Sequence, residues 1–214
     1  VTWPEPGADF TPLTETLPTG SLLFRVHSAQ FPDGTLNDGT AFNPGYGRSA
    51  RFSFFGEPTV PVLYAATSPE VAVHETILRN AEPGSALVPV AWRNQMLSVI
   101  EVREDVQLAA FHGAGLRRLG LFPRDLTDTP KKAYPSTVKW AEAAWQKGLG
   151  GVVYMPRHFN SATAFCLFGD RVSDEALSVH KKHPASRLFD TSDDVVWLAE
   201  VARAVNVRLR SFDW

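Results

Sequence analysis

Cysteine is nearly missing from this 214-residue chain: Cys166 stands alone, which excludes an internal disulfide and any metal cage built from several thiolates. Long apolar runs are missing too. No stretch approaches the ~20 residues that span a bilayer, and the opening Val1-Thr2-Trp3-Pro4-Glu5-Pro6 lacks the basic start and apolar core of a secretory signal. A cytoplasmic protein with no membrane partner is the expectation. Nor is there a surplus of one charge: 21 basic residues stand against 23 acidic ones, for a net charge of −2. The densest basic groups, Lys131-Lys132 and His180-Lys181-Lys182-His183, are short. A protein that holds nucleic acid by its phosphates needs a broader basic stripe, so nucleic acid is not an expected partner. A small anionic ligand, which needs only two or three well-placed cations, remains open.

Common catalytic signatures are absent as well. There is no Gly-x-Gly-x-x-Gly after a strand, no Walker sequence and no Gly-x-Ser-x-Gly elbow. His180-x-x-His183 has helical metal-ligand spacing. It is flanked by lysines without a metalloprotease-type carboxylate, so a solvated basic face is expected and no metal. Cys166 lies within Ala164-Phe165-Cys166-Leu167-Phe168, which suits an inert buried thiol better than a nucleophile.

What is present is bulk for a core: fourteen Phe, six Trp and 44% hydrophobic residues, the balance of a globular chain. Residues 1–20 are rich in Pro, Gly and Thr and read as an extended lead-in, with one large domain over 21–214. Strands are expected at Leu22–Val26, Val60–Ala66, Ala86–Trp92, Leu97–Val102, Gly151–Met155 and Thr163–Phe168. Residues 32–50 hold many turn formers and form a long loop, of a length that in compact domains is usually functional or disordered. Ser68-Pro69 starts a helix through about Asn80, Ser being a good N-cap and Pro suiting the first helical position. Ser136 caps a second helix over Val138–Lys147, closed by Gly148. Ser192 caps a third, about Asp193–Val205, with Val195, Leu198, Ala199, Ala202 and Val205 at helical spacing. The stretch after Val102 is weakly patterned. This is an α+β domain.

Five side chains invite a chemical reading, each with an ordinary one beside it. Glu75 sits among Val71, Ala72 and Leu78 on its helix; it is either a surface partner of Arg79 at i, i+4 or a carboxylate buried for a purpose. Arg25 interrupts Leu22-Leu23-Phe24-Arg25-Val26, on a half-polar strand face or reaching a buried anion. Arg51 follows the glycine-rich loop, where a guanidinium can grip phosphate while the backbone closes round a ligand. Tyr64 is either core with a satisfied hydroxyl or a ring face for a flat heterocycle. Ser136 is a helix cap, and helix N-termini also bind anions.

The chain resembles the RES domain family, the toxin half of RES–Xre toxin–antitoxin pairs, over about residues 20–172. The likeness is carried by Leu23-Phe24-Arg25-Val26, the loop from Phe42-Asn43-Pro44-Gly45-Tyr46-Gly47 to Arg51-Phe52, Val62-Leu63-Tyr64-Ala65-Ala66 and Val71-Ala72-Val73-His74-Glu75-Thr76. It continues through Tyr134-Pro135-Ser136-Thr137-Val138-Lys139-Trp140-Ala141, Gly151-Val152-Val153-Tyr154 and Leu167-Phe168-Gly169-Asp170-Arg171-Val172. Residues 173–214 then form a C-terminal helical extension. The resemblance implies a fold related to ADP-ribosyltransferase toxins, with NAD⁺ as substrate and no metal. It implies cleavage of the nicotinamide–ribose bond by phosphorolysis or hydrolysis, inorganic phosphate or water being the acceptor. It implies an Xre-like antitoxin or an immunity protein as partner. Arg25, Arg51, Tyr64 and Glu75 fall on the family's active-site pattern: Glu75, Arg25 and Tyr64 as catalytic, and Arg51, Arg25, Tyr64 and Ser136 as binding NAD⁺. Some relatives have a hydroxyl at the start of the helix before the Gly-Val-Val strand, here Ser136 or Thr137. Others have a serine just after that strand, where this chain has Pro156; separately, the aromatic that follows the first arginine in some members is Val26 here. A mono-ADP-ribosyltransferase acting on protein, or a non-catalytic partner-binding module, are the alternatives.

Overall fold

A computed structural model of the protein describes residues 2–210; Val1 of the lead-in and residues 211–214 of the C-terminal extension lie outside them. Strands run in the order β1 (Thr14–Leu17), β2 (Leu22–Ser28), β3 (Val62–Ala66), β4 (Ala86–Leu87), β5 (Gln95–Val102), β6 (Val106–Phe111), β7 (Gly151–Tyr154), β8 (Ala164–Phe168), β9 (Leu177–Val179), β10 (Arg187–Leu188) and β11 (Arg208–Leu209). The helices are α1 (Pro69–Glu75), α2 (Gly113–Arg118), α3 (Pro123–Leu126), α4 (Tyr134–Gln146) and α5 (Ser192–Ala204). Among the described residues, nine strands make one sheet in the order β1-β6-β7-β8-β3-β2-β5-β10, with β9 also on β5, while β4 and β11 pair separately. The β6–β7 pairing is parallel and the other pairings of the large sheet are antiparallel, so the sheet is mixed.

The central strands explain their own composition. All residues of β7 (Gly-Val-Val-Tyr) and β8 (Ala-Phe-Cys-Leu-Phe) are buried, so alternation never shows an outer face. One face, through Val62, Val152, Cys166 and Phe168, packs with helical residues including Val71, Trp140 and Leu198. The opposite face, through Leu23, Leu63, Ile100, Phe165 and Leu167, closes on a second core with Val172 and Leu177, over which the sheet curls. Each such Leu, Ile or Phe contributes about 1.5–3 kcal/mol relative to exposure. The result is the expected α+β class, in a single compact domain.

Several boundaries move, each for a local reason. The lead-in supplies β1, which pairs with β6 from Thr14↔Ala109 to Leu17↔Val106. The weakly patterned stretch contains β6, whose Ala109 and Ala110 are poor strand formers that burial nevertheless accommodates. The strand expected over Ala86–Trp92 shortens to β4, because Pro89 starts a single 3₁₀ turn to Ala91. Ser68 caps α1 as expected, its hydroxyl accepting from the Val71 N–H at 3.3 Å. The helix stops at Glu75 rather than Asn80. At β-branched Thr76 the chain leaves helical dihedrals, and Ile77 and Leu78 bury separately in the turn that follows. Ser136 does not cap α4. A 3₁₀ turn at Lys131–Ala133 runs straight into the helix, Tyr134 N–H donating to the Lys131 carbonyl, so Ser136 is already inside the first turn. Thr191, not Ser192, caps α5, accepting from the Asp194 N–H. Gly148 ends α4 with φ +78° as expected.

Candidate functional site

One cavity, of about 810 Å³, opens where the ends of β3 and β7 meet α1 and the turn after it. That volume lies within the range of small-ligand sites. Arg25, Arg51, Tyr64 and Glu75 all line it, from β2, the segment before β3, β3 itself and the end of α1. Lysine and arginine line it at five positions (Arg25, Arg51, Arg79, Lys131, Arg157) against carboxylates at two (Glu75, Glu82), so the cavity favours an anion.

Glu75 is half-buried, and its partner is not Arg79. With the helix ended at Glu75, the i, i+4 geometry is lost, and no ion pair joins the two among the described residues. The phenol of Tyr154 donates to Glu75 Oε2 at 2.9 Å instead, from the last residue of β7. Burial, then the neighbouring Glu75 carboxylate, pushes the Tyr154 phenol well above its usual pKa, so it remains a proton donor. Tyr154 is held in turn by the ring of Phe52, 5.0 Å away between centroids.

Tyr64 serves as both core and wall. Its hydroxyl accepts from the Phe52 N–H (3.1 Å) and donates to Ser53 Oγ (3.2 Å), which anchors the segment carrying Arg51. Burial holds this phenol, too, well above its ordinary pKa.

The two expected arginines are fixed by carbonyl dipoles. Arg25 Nη1 donates to Gly39 O (2.6 Å) and Ala41 O (2.7 Å), tying the glycine-rich loop to β2. Burial lowers its pKa to about 10, partly offset by Asp38, so it remains charged. Arg51 is buried and donates through Nη1 to Leu126 O, Thr129 O and Thr129 Oγ1. Its own carbonyl accepts from Thr137 Oγ1 on α4. Neither arginine has a carboxylate within ion-pair distance among the described residues.

Ser136 is not brought to this group. It lies outside the cavity lining, and its hydroxyl donates to Glu5 Oε1 of the lead-in at 3.4 Å. Thr137 is buried and holds Arg51 through the backbone. Pro156 is buried, and Arg157 after it pairs with Asp128 at 2.9 Å on the rim. Residue-by-residue reading passed over Tyr154 and Tyr134, and took Arg79 only as a surface partner of Glu75. The signal for Tyr154 was a tyrosine ending an otherwise apolar strand.

Behind the loop, His27 Nδ1–H donates to Ser28 O and Nε2 accepts from Ser98 Oγ, both at 2.8 Å, an arrangement for neutral imidazole. Burial pushes its pKa down to about 4, with the Ser28 carbonyl opposing, Arg25 assisting and Asp38 opposing. The unfolded chain, with His near 6.5, therefore binds the extra proton between these values, and stability falls as pH drops from about 6.5 toward 4. Thermal melts across that window are expected to show a shallower loss for His27→Gln than for wild type. Parallel curves would show that His27 contributes nothing to it.

A family model described as the RES domain matches residues 22–190. Among solved structures, the crystal structure of the M. tuberculosis MbcT–MbcA toxin–antitoxin complex superposes with a TM-score of 0.50 at 16% sequence identity, covering 77% of this chain and 84% of the matched chain. No curated protein sequence matches.

Proposed function

The chain belongs to the RES domain family, and from that premise we propose that it is a toxin that consumes NAD⁺ by breaking the nicotinamide–ribose bond. The observation that carries this reading is Glu75, a carboxylate bound by a phenol in a cavity otherwise dominated by cations. Cleavage of an N-glycosidic bond passes through an oxocarbenium-like ribose, which a facing carboxylate stabilises. The C1′–N electron pair leaves with nicotinamide, whose positive charge it neutralises, so no strong general acid is needed. An unprotonated phosphate oxygen then bonds to C1′ directly, or a water oxygen does so and sheds a proton to solvent. Arg25 and Arg51 hold the pyrophosphate, and Tyr64 orients the nicotinamide. Glu75 faces the ribose. A toxin of this kind acts with a neutralising partner; the matched structure, a toxin–antitoxin complex, favours an antitoxin for this chain as well.

Tyr154 would keep the Glu75 carboxylate aimed. Tyr154→Phe retains the ring against Phe52 and loses only the hydroxyl, so kcat is expected to fall about 10-fold or more with KM little changed. Unchanged kcat would remove the positioning role.

The test of the reading is NAD⁺ consumption by purified protein with and without inorganic phosphate, products being separated by chromatography. Phosphate-dependent turnover identifies a phosphorylase and phosphate-independent turnover a glycohydrolase. ADP-ribosyl adducts on added protein, with neither free product, would make it a transferase. No binding of NAD⁺ would sink the enzymatic reading.

A further inference from the structure

Two guanidinium groups in the cavity share one aromatic ring. Tyr134, the buried first residue of α4, has Arg51 Cζ at 5.4 Å and Arg79 Cζ at 5.9 Å from its ring centroid. Its hydroxyl accepts from Arg79 Nη2 at 3.0 Å. The early end of α1 makes this possible: a helix continued to Asn80 would place Arg79 one turn above Glu75, whereas the turn after Thr76 carries it to Tyr134. Like charges gathered at one ring repel, and a buried charge without a counter-charge is costly. Yet neither arginine has a carboxylate within ion-pair distance among the described residues. Carbonyls accept from Arg51 Nη1 and a phenol accepts from Arg79 Nη2, so no carboxylate bonds directly to either guanidinium, and Glu75 acts on Arg79 only from beyond ion-pair distance. Burial alone would lower the Arg79 pKa, but the Tyr134 phenol and then Glu75 hold it above the ordinary value, and the cation persists.

We infer that Arg51 and Arg79, set in place by Tyr134, form a two-guanidinium clamp for phosphoryl oxygens in this cavity. Guanidinium forks match such oxygens bidentately, and two forks fixed in advance suit a diphosphate better than a single charge. Arg79 is then a binding residue and Tyr134 a positioning residue. This rests on the dinucleotide reading above, in which the pyrophosphate bridge of NAD⁺ supplies those oxygens; free inorganic phosphate is the other source of the same chemistry.

Isothermal titration calorimetry on the full chain separates these, with ADP-ribose in one arm and inorganic phosphate in the other. For Arg79→Met, ADP-ribose affinity is expected to fall about 10- to 100-fold, the scale of a charged hydrogen bond. Arg79→Lys, which keeps the charge without the fork, should lose less. Tyr134→Phe keeps the ring and drops the hydroxyl; it should raise the KM for NAD⁺ a few-fold with kcat unchanged, which a merely structural loss would not do. A loss confined to the phosphate arm would assign the clamp to free phosphate. Wild-type affinity for both ligands in Arg79→Met would overturn the clamp while leaving the dinucleotide reading intact. Wild-type protein that binds neither ligand would overturn both.

Discussion

Glu75→Gln is expected to lower NAD⁺ turnover by about 10²- to 10³-fold, the effect of removing one preorganised charge-stabilising group. The substitution is nearly isosteric. Its Oε1 still accepts from Tyr154 Oη, so the 2.9 Å contact at the end of β7 survives and the fold with it. Only the negative charge facing the ribose is lost. Because that charge matters most as the cation develops, the loss should fall on kcat, while NAD⁺ binding through the arginines persists. A Glu75→Gln protein that keeps full turnover would show that Glu75 has no part in the chemistry. One that loses NAD⁺ binding along with turnover would place Glu75 in ground-state recognition.

Gly39→Val is expected to give the largest loss of stability, about 2–5 kcal/mol from backbone strain and overpacking together. Gly39 has φ +95°, and a Cβ there would lie 2.7 Å from His27 Nε2 and 2.9 Å from Ser98 Cβ. Both obstacles are held: His27 is hydrogen-bonded on both ring nitrogens and Ser98 lies within β5. The Gly39 carbonyl also accepts from Arg25, so displacement reaches the cavity. The melting temperature should drop by on the order of 10 °C, with a weakened affinity for NAD⁺. Gly20→Val separates the two causes, since Gly20 has φ +85° and nothing within 4 Å of its Cβ position. If the two variants melt alike, the contact with His27 and Ser98 carries no cost.

Which residues would share the cavity was more legible in the sequence than how they are held. Arg25, Arg51, Tyr64 and Glu75 were visible as polar residues in apolar or glycine-rich settings, and the cavity gathers all four. Their partners were not visible. Tyr154 lies 79 residues from Glu75, and no spacing rule connects the end of a strand to the end of a helix across that distance. Local reasoning instead extended α1 and offered Arg79, because propensity does not register that Ile77 and Leu78 are buried from a turn rather than from a helix. Ser136 was read as a helix cap and from the hydroxyl that some relatives carry there, and the preceding 3₁₀ turn had already taken the cap position. The groups that hold Arg51 are the Leu126 and Thr129 carbonyls and the Thr129 hydroxyl, some 75 residues away, and a backbone carbonyl leaves no mark on residue identity. Likewise β6, buried along Leu108–Phe111, carries neither alternation nor β-branched residues beyond Val106.

The most direct test of the account is release of nicotinamide from NAD⁺ by the wild-type chain beside Glu75→Gln, followed by chromatography at equal protein concentration. The account predicts one nicotinamide per NAD⁺ consumed by wild type and almost none from the variant, with NAD⁺ still bound by both. Equal release from the two proteins, or none from a wild type that binds NAD⁺, would contradict it.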